Sequence, residues 1–138
     1  MEISLVRRRL TETIERAKKQ AAERRGRNDQ ASRDFEVFLQ KIAVPLVRQV
    51  ANALKADGYA FTVFTPSDSV RLMSDRSTDD FIDLSLDADD PPRVTGRTSR
   101  TRGRRVIDAE RAIGAPDALT EEQLLDFLLK ELEAFVER

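Results

Sequence analysis

Apolar residues in the first 57 positions recur at the spacing of an α-helix and form two stripes. Side chains three or four residues apart lie on one face of a helix, so each stripe predicts one apolar helix face. The first, which we call the N-terminal stripe, ends in alanines, whereas larger side chains fill the second. The N-terminal stripe is Ile3, Val6, Leu10, Ile14, Ala17 and Ala21, and the second stripe is Phe35, Leu39, Ile42, Leu46, Val50 and Leu54.

The phase of the two stripes distinguishes one helix from two. Counting from Ile3 at 3.6 residues per turn places both stripes on the same face, which favours one long helix over residues 3–57. Gly26 lies in the polar segment between the stripes and weakens a helix interior by about 1 kcal/mol. Residues that could cap a new helix follow it, so a hairpin of two helices remains the alternative. Pro45 removes a backbone hydrogen bond and predicts a bend or a helix boundary.

The middle of the chain has the alternation and the β-branched content of strands. The clearest strand is residues 82–87, where Ile, Leu and Leu alternate with Asp, Ser and Asp. Short connections between consecutive strands predict an antiparallel meander of about four strands. The other candidate strands are residues 59–65, 70–74, 94–101 and 104–107, the last two joined around Gly103.

The last segment has the features of an amphipathic helix. Thr120 and Gln123 match a capping box, and two glutamates between them suit the positive end of the helix dipole. One broad apolar face follows, and we expect it to pack on the sheet as part of the core. Its members are Leu124, Leu125, Leu128, Leu132, Phe135 and Val136, with Phe127 and Leu129 beside them.

Together these elements predict one α+β domain over residues 1–138. It consists of a long N-terminal helix that is bent or split near Gly26 or Pro45, the meander, and the amphipathic C-terminal helix packed on the sheet. Residues 1–28 form a projecting or hairpin helical segment. A continuous helix over the first 57 residues would be about 80 Å long, against a radius of gyration near 14 Å for a globule of this size. We therefore expect a second chain to cover the N-terminal stripe, which becomes an oligomer interface.

The amino-acid composition argues against several classes of function. The sequence has no Cys and no His, the side chains most used for nucleophilic and acid–base catalysis. It also lacks a glycine-rich phosphate loop, a nucleophile elbow and a dinucleotide fingerprint. We therefore predict a protein that is not an enzyme and needs no cofactor. No apolar run approaches the roughly 20 residues of a membrane span, and the first residues lack a signal-peptide pattern. These features predict a cytoplasmic protein with no membrane partner.

Charge is segregated along the chain, although the formal net charge is −1. Residues 93–105 contain six Arg and no acidic residue. On an extended strand Arg100, Arg102 and Arg104 would share one face, as in a ribbon that binds phosphates. We favour two other interpretations, a solvated hairpin or cross-strand ion pairs with Asp83 and Asp87, because residues 82–126 offer no aromatic side chain for base stacking. The candidate phosphate contacts are Arg97, Arg100, Arg102, Arg104 and Arg105.

A run of aspartates precedes the arginines and raises the question of a metal site. Ca²⁺ or Mg²⁺ would need several of these carboxylates to converge in one loop. Their spacing does not match the calcium-binding loop, and the glycine that such a loop requires is missing, so no metal site is predicted. The run is Asp79, Asp80, Asp83, Asp87, Asp89 and Asp90.

The sequence thus predicts a small cytoplasmic, non-catalytic interaction or scaffold protein that self-associates through its N-terminal helix. A homo-oligomer is the expected assembly, with a further protein partner compatible with the same surface. The alternative is a nucleic-acid-associated factor that uses the Arg93–Arg105 segment.

Overall fold

The computed structural model describes residues 1–89 and 91–137 of the chain. It confirms an α+β fold in which a long helical segment leads into one antiparallel sheet, and a further helix follows the sheet. The helical elements are α1 (Ile3–Phe38), a π-turn (Leu39–Ala43), α2 (Val44–Ala56) and α3 (Glu121–Val136). The strands are β1 (Phe61–Phe64), β2 (Val70–Ser74), β3 (Phe81–Asp87), β4 (Arg93–Arg102) and β5 (Arg105–Gly114).

The N-terminal helix is uninterrupted from Ile3 to Ala56, so the alternative of a helical hairpin is wrong. Gly26 lies inside α1, where a Cβ would meet no atom within 4 Å apart from the neighbouring backbone of its own helix, and its backbone remains helical. Pro45 does mark a boundary, because α2 begins with it in its first turn. Just before it, the Val44 N–H donates to the Leu39 carbonyl, the i→i+5 bond of a π-helix. One wider turn thus joins the two α-helices.

The sheet has the order β1-β2-β3-β4-β5, and every neighbouring pair is antiparallel. The predicted meander is therefore confirmed, with five strands where about four were expected. The fifth strand continues to Gly114, well past the predicted end at residue 107. Gly103 and Arg104 form the two-residue turn between β4 and β5, and Gly103 has a φ of +65°, which favours glycine at the first central position of a type II′ turn.

One face of the sheet is covered by helices, and this layer is the hydrophobic core. Leu72, Ile82 and Leu84 of the sheet are almost fully buried, as are Val47 of α2 and Leu128 of α3. The predicted packing of the C-terminal helix on the sheet is confirmed by these contacts, which continue where Phe127 of α3 covers Gly96 of β4.

The predicted capping box of α3 is present. The Gln123 N–H donates to the Thr120 hydroxyl at 3.2 Å, and the Gln123 side-chain oxygen accepts from the Thr120 N–H at 3.0 Å. Two backbone N–H groups that would otherwise lack partners at the helix N-terminus are satisfied in this way. The start of α3 is therefore fixed by its own sequence.

Candidate functional site

Residues 3–30 of α1 form a helical segment outside the core, which we call the N-terminal arm. All of them are described, and none is buried; the buried residues of α1 are Ala31, Phe35 and Phe38. At 1.5 Å per residue the arm is about 42 Å long. Because it continues directly into the helix that packs on the sheet, the arm has a defined direction relative to the core.

The large side chains of the N-terminal stripe are exposed along this arm. The exposed fractions are 73% for Ile3, 47% for Val6, 57% for Leu10 and 45% for Ile14. Ala17 is exposed and Ala21 is half-buried. Scattered exposed apolar residues are normal on a protein surface, but a contiguous row is characteristic of an interaction site. The arm therefore presents an apolar row that its own chain leaves open to solvent.

Basic residues flank this row. A helix turns by about 100° per residue, so Arg7 and Lys18 lie about 60–80° from the centre of the stripe, which places them beside it. The same rotation places Glu12, Glu15 and Glu23 on the opposite face, together with Arg8 and Lys19. Residues 1–30 contain nine basic and five acidic residues, a net charge of +4. The stripe is thus an apolar row with a basic margin, which suits an apolar surface with an acidic one.

The arginine segment is not one extended strand with Arg100, Arg102 and Arg104 on a single face, the arrangement that the phosphate-binding alternative requires. Arg102 and Arg105 are paired at the ends of β4 and β5, and Arg104 lies in the turn between them, so Arg104 does not share a strand face with Arg100 and Arg102. The cause is the position of the turn at Gly103–Arg104. Arg100 faces Ile107 across the ladder and is half-buried. The hairpin therefore gathers three arginines at its tip and separates them from Arg97.

Arg97 participates in a charged layer on the sheet face away from the helices. Its guanidinium lies 3.4 Å from the Asp108 carboxylate and 5.5 Å from the centre of the Phe81 ring. Asp83 is opposite Arg97 in the ladder, as the sequence suggested, but Arg71 on the other neighbouring strand binds it, with Nη2 at 2.8 Å and Nε at 3.2 Å. The arginines and aspartates therefore do form cross-strand pairs, with partners other than those expected.

The aspartate run is dispersed in the structure. Asp80 is 1% exposed, and its carboxylate accepts a hydrogen bond from the Thr101 N–H at 2.6 Å, which ties the start of β3 to the end of β4. Asp83 belongs to the charged layer, and Asp87 is opposite Arg93. Asp90 lies outside the described residues. Within residues 1–89 and 91–137, no three acidic side chains are grouped closely enough to hold a metal ion.

One exposed apolar surface was not anticipated from the sequence. The sequence placed Val136 on the core face of the helix and Leu129 beside that face, but Val136 is 38% and Leu129 is 53% exposed. With Leu132 they line a shallow groove of about 370 Å³ on α3, whose other lining residues are Glu133 and Glu137. The signal was present in the sequence, because the apolar positions of α3 cover an arc wider than one helix face can bury.

In the part of the chain that is described, we find no helix with both the length and the apolarity needed to cross a lipid bilayer. The chain matches no protein-family model, no curated protein and no solved structure.

Proposed function

We propose that this chain is a cytoplasmic, non-catalytic interaction protein that self-associates through its N-terminal arm. The observation that supports the proposal is the exposure of Ile3, Val6, Leu10 and Ile14 in one row on a helix that extends beyond the core. A second copy of the chain is the partner that is always available at the same concentration. Covering the row removes apolar surface from water, and this provides the driving force.

The size of that driving force indicates reversible assembly. Complete burial of one Val, Leu or Ile side chain contributes about 1.5–3 kcal/mol relative to full exposure. The four large side chains are on average half-exposed, so covering one stripe contributes about 3–6 kcal/mol, and covering two contributes about 6–12 kcal/mol. Association costs about 4–15 kcal/mol in lost translational and rotational freedom. Because these ranges overlap, we expect an oligomer whose population depends on protein concentration.

The experiment is a measurement of solution mass by light scattering over a range of concentrations. We expect the wild-type chain to exceed the monomer mass and Leu10→Glu/Ile14→Glu to be a monomer with unchanged helix content, since neither residue contacts the core. Ser4→Glu/Ala22→Glu is the matched control, because it adds the same charge to the arm away from the stripe. A monomeric wild-type chain at high concentration would contradict the proposal.

A second candidate function rests on the hairpin tip. Arg102, Arg104 and Arg105 cluster there, and β3 pairs with β4 over Arg93–Ser99 alone, so the tip extends beyond the sheet. Such a cluster suits phosphate groups of a nucleic acid. Binding to a labelled oligonucleotide should then weaken steeply with salt and disappear when the three arginines are changed to Gln. Binding that is absent, or that does not depend on salt, would contradict this second candidate and leave self-association as the proposed function.

A further inference from the structure

We propose that the N-terminal stripe of one copy binds the exposed side of α3 on a second copy. This inference rests on the proposed self-association and names the surface that receives the stripe. The receiving surface, which we call the α3 ridge, is the row Leu125, Leu129, Leu132 and Val136.

The α3 ridge has the spacing of a helix-pairing surface. Its members are separated by four, three and four residues, the pattern that keeps apolar side chains along one side of a helix. Leu129 and Val136 are exposed, Leu125 is half-buried, and Leu132 forms the boundary with the core. The ridge thus belongs to a helix held firmly on the sheet, while its outer edge remains open to a partner.

The stripe and the ridge match in length. Ile3 and Ile14 are eleven residues apart, as are Leu125 and Val136, so each row is about 16 Å long. Large side chains of the stripe can therefore meet the ridge along its whole length. The small residues Ala17 and Ala21 continue the stripe beyond Ile14.

The charges of the arm and of α3 favour a contact between the stripe and the ridge over a contact between two arms. Residues 121–136 contain five acidic residues and one basic residue, a net charge of −4, against +4 for residues 1–30. Glu122 and Glu133 flank the ridge, whereas Arg7 and Lys18 flank the stripe. Two arms packed together through their stripes would bring basic margins into contact, but an arm on the ridge brings opposite charges together, which favours that arrangement.

The partner is a second copy rather than the same chain. The arm is one continuous helix with α2, so it cannot fold back onto its own α3, and its large apolar side chains remain exposed within the single chain. Reciprocal exchange of arms between two copies forms two identical contacts around a two-fold axis and closes the assembly as a dimer. Each contact then includes one stripe and one ridge.

Charge reversal tests the pairing. In about 50 mM salt we expect Glu122→Lys/Glu133→Lys and Arg7→Glu/Lys18→Glu each to raise the dimer dissociation constant at least tenfold, because both contacts then join like charges. An equimolar mixture of the two variants should recover the wild-type mass as a heterodimer, since both of its contacts join opposite charges. The mixture also shows that the variants are folded.

The outcomes separate the inference from the proposed function. If Glu122→Lys/Glu133→Lys retains the wild-type dissociation constant while Leu10→Glu/Ile14→Glu is a monomer, the stripe binds a different surface and the ridge is refuted. If the stripe variant also keeps the wild-type mass, self-association through the arm is itself refuted. Glu110→Lys/Asp117→Lys is the matched control, with the same charge change at exposed acids outside α3, and we expect it to dimerise normally.

Discussion

Gly96 is the position where the packing of α3 on the sheet is most sensitive to a small change. A Cβ at this position of β4 would overlap Cζ of Phe127 and lie 2.8 Å from Cε1 and 3.0 Å from Cε2 of the same ring. The ring is 8% exposed and packed among core residues, so it cannot rotate into solvent. Gly96→Ala therefore forces α3 or β4 to move.

The expected cost follows from two opposing terms. Overpacking of a core by one methyl group costs about 1–3 kcal/mol. Replacing glycine by alanine also restricts the unfolded chain, which stabilises a protein by about 0.4–1 kcal/mol where the backbone permits. We therefore expect Gly96→Ala to lower the free energy of unfolding by about 1–2 kcal/mol. With a urea dependence of about 2 kcal/mol per molar, the unfolding midpoint falls by about 0.5–1 M.

Urea unfolding followed by circular dichroism at fixed protein concentration measures this effect. Gly26→Ala is the control, because the added methyl group meets no atom within 4 Å apart from the neighbouring backbone of its own helix, and the midpoint should not fall. Phe127→Leu removes the far end of the ring, so the double variant Gly96→Ala/Phe127→Leu should be at least 0.5 kcal/mol more stable than the sum of the single effects predicts. A Gly96→Ala midpoint at or above wild type would refute the packing argument.

Three further predictions concern the free energy of unfolding and use the same measurement. Thr120→Ala removes the cap hydrogen bond to Gln123 and should cost about 1 kcal/mol, while Thr120→Ser should keep most of it; equal losses would show that the hydroxyl is not the cause. Gly103→Ala places a side chain at positive φ and should cost about 1–2 kcal/mol; an unchanged free energy of unfolding would show that the turn accepts a side chain there. Arg71→Met removes the guanidinium bound to the half-buried Asp83 carboxylate and should cost about 1–3 kcal/mol, whereas a loss below 0.5 kcal/mol would mean that water replaces it.

The long helix was predictable because its two stripes are in phase, and this periodicity is a local property of the sequence. The π-turn before Pro45 was not predictable, because the missing N–H of a proline is compatible with a kink, a break or a wider turn. Packing decides among these, and Leu39 and Ala43 of the π-turn are both buried in the core. Periodicity therefore gave the path of the helix but not the way in which it passes the proline.

The second half of β5 could not be predicted, because Asp108, Glu110 and Arg111 interrupt any apolar alternation. This segment is a strand because β4 beside it provides backbone partners up to Gly114, with one register shift between Val94 and Thr95. The placement of Arg104 depended on the same hairpin, whose turn begins at Gly103. Pairing between strands, rather than side-chain pattern, determines both features.

The candidate site, too, was predictable from the sequence only in part. The exposed stripe followed from the length of the helix compared with the size of the core. The α3 ridge did not follow from the sequence, because counting apolar residues does not show which part of a wide apolar arc is covered in the fold. Leu124 and Leu128 are buried in the core, whereas Leu129 is exposed. Only the position of α3 on the sheet shows which of these leucines is buried and which is exposed.

Because the helix is continuous from Ile3 to Ala56, the number of residues between the stripe and the core sets the direction of the stripe and the reach of the arm. Deleting one residue between Ala21 and Ala31 would leave the core intact, turn the stripe by about 100° about the helix axis and shorten the reach of the arm by about 1.5 Å. Deleting seven would return the stripe to within about 20° of its original azimuth while shortening the reach by about 10 Å. Insertions or deletions of seven residues in this segment would therefore change the reach of the arm while nearly preserving the direction of the stripe.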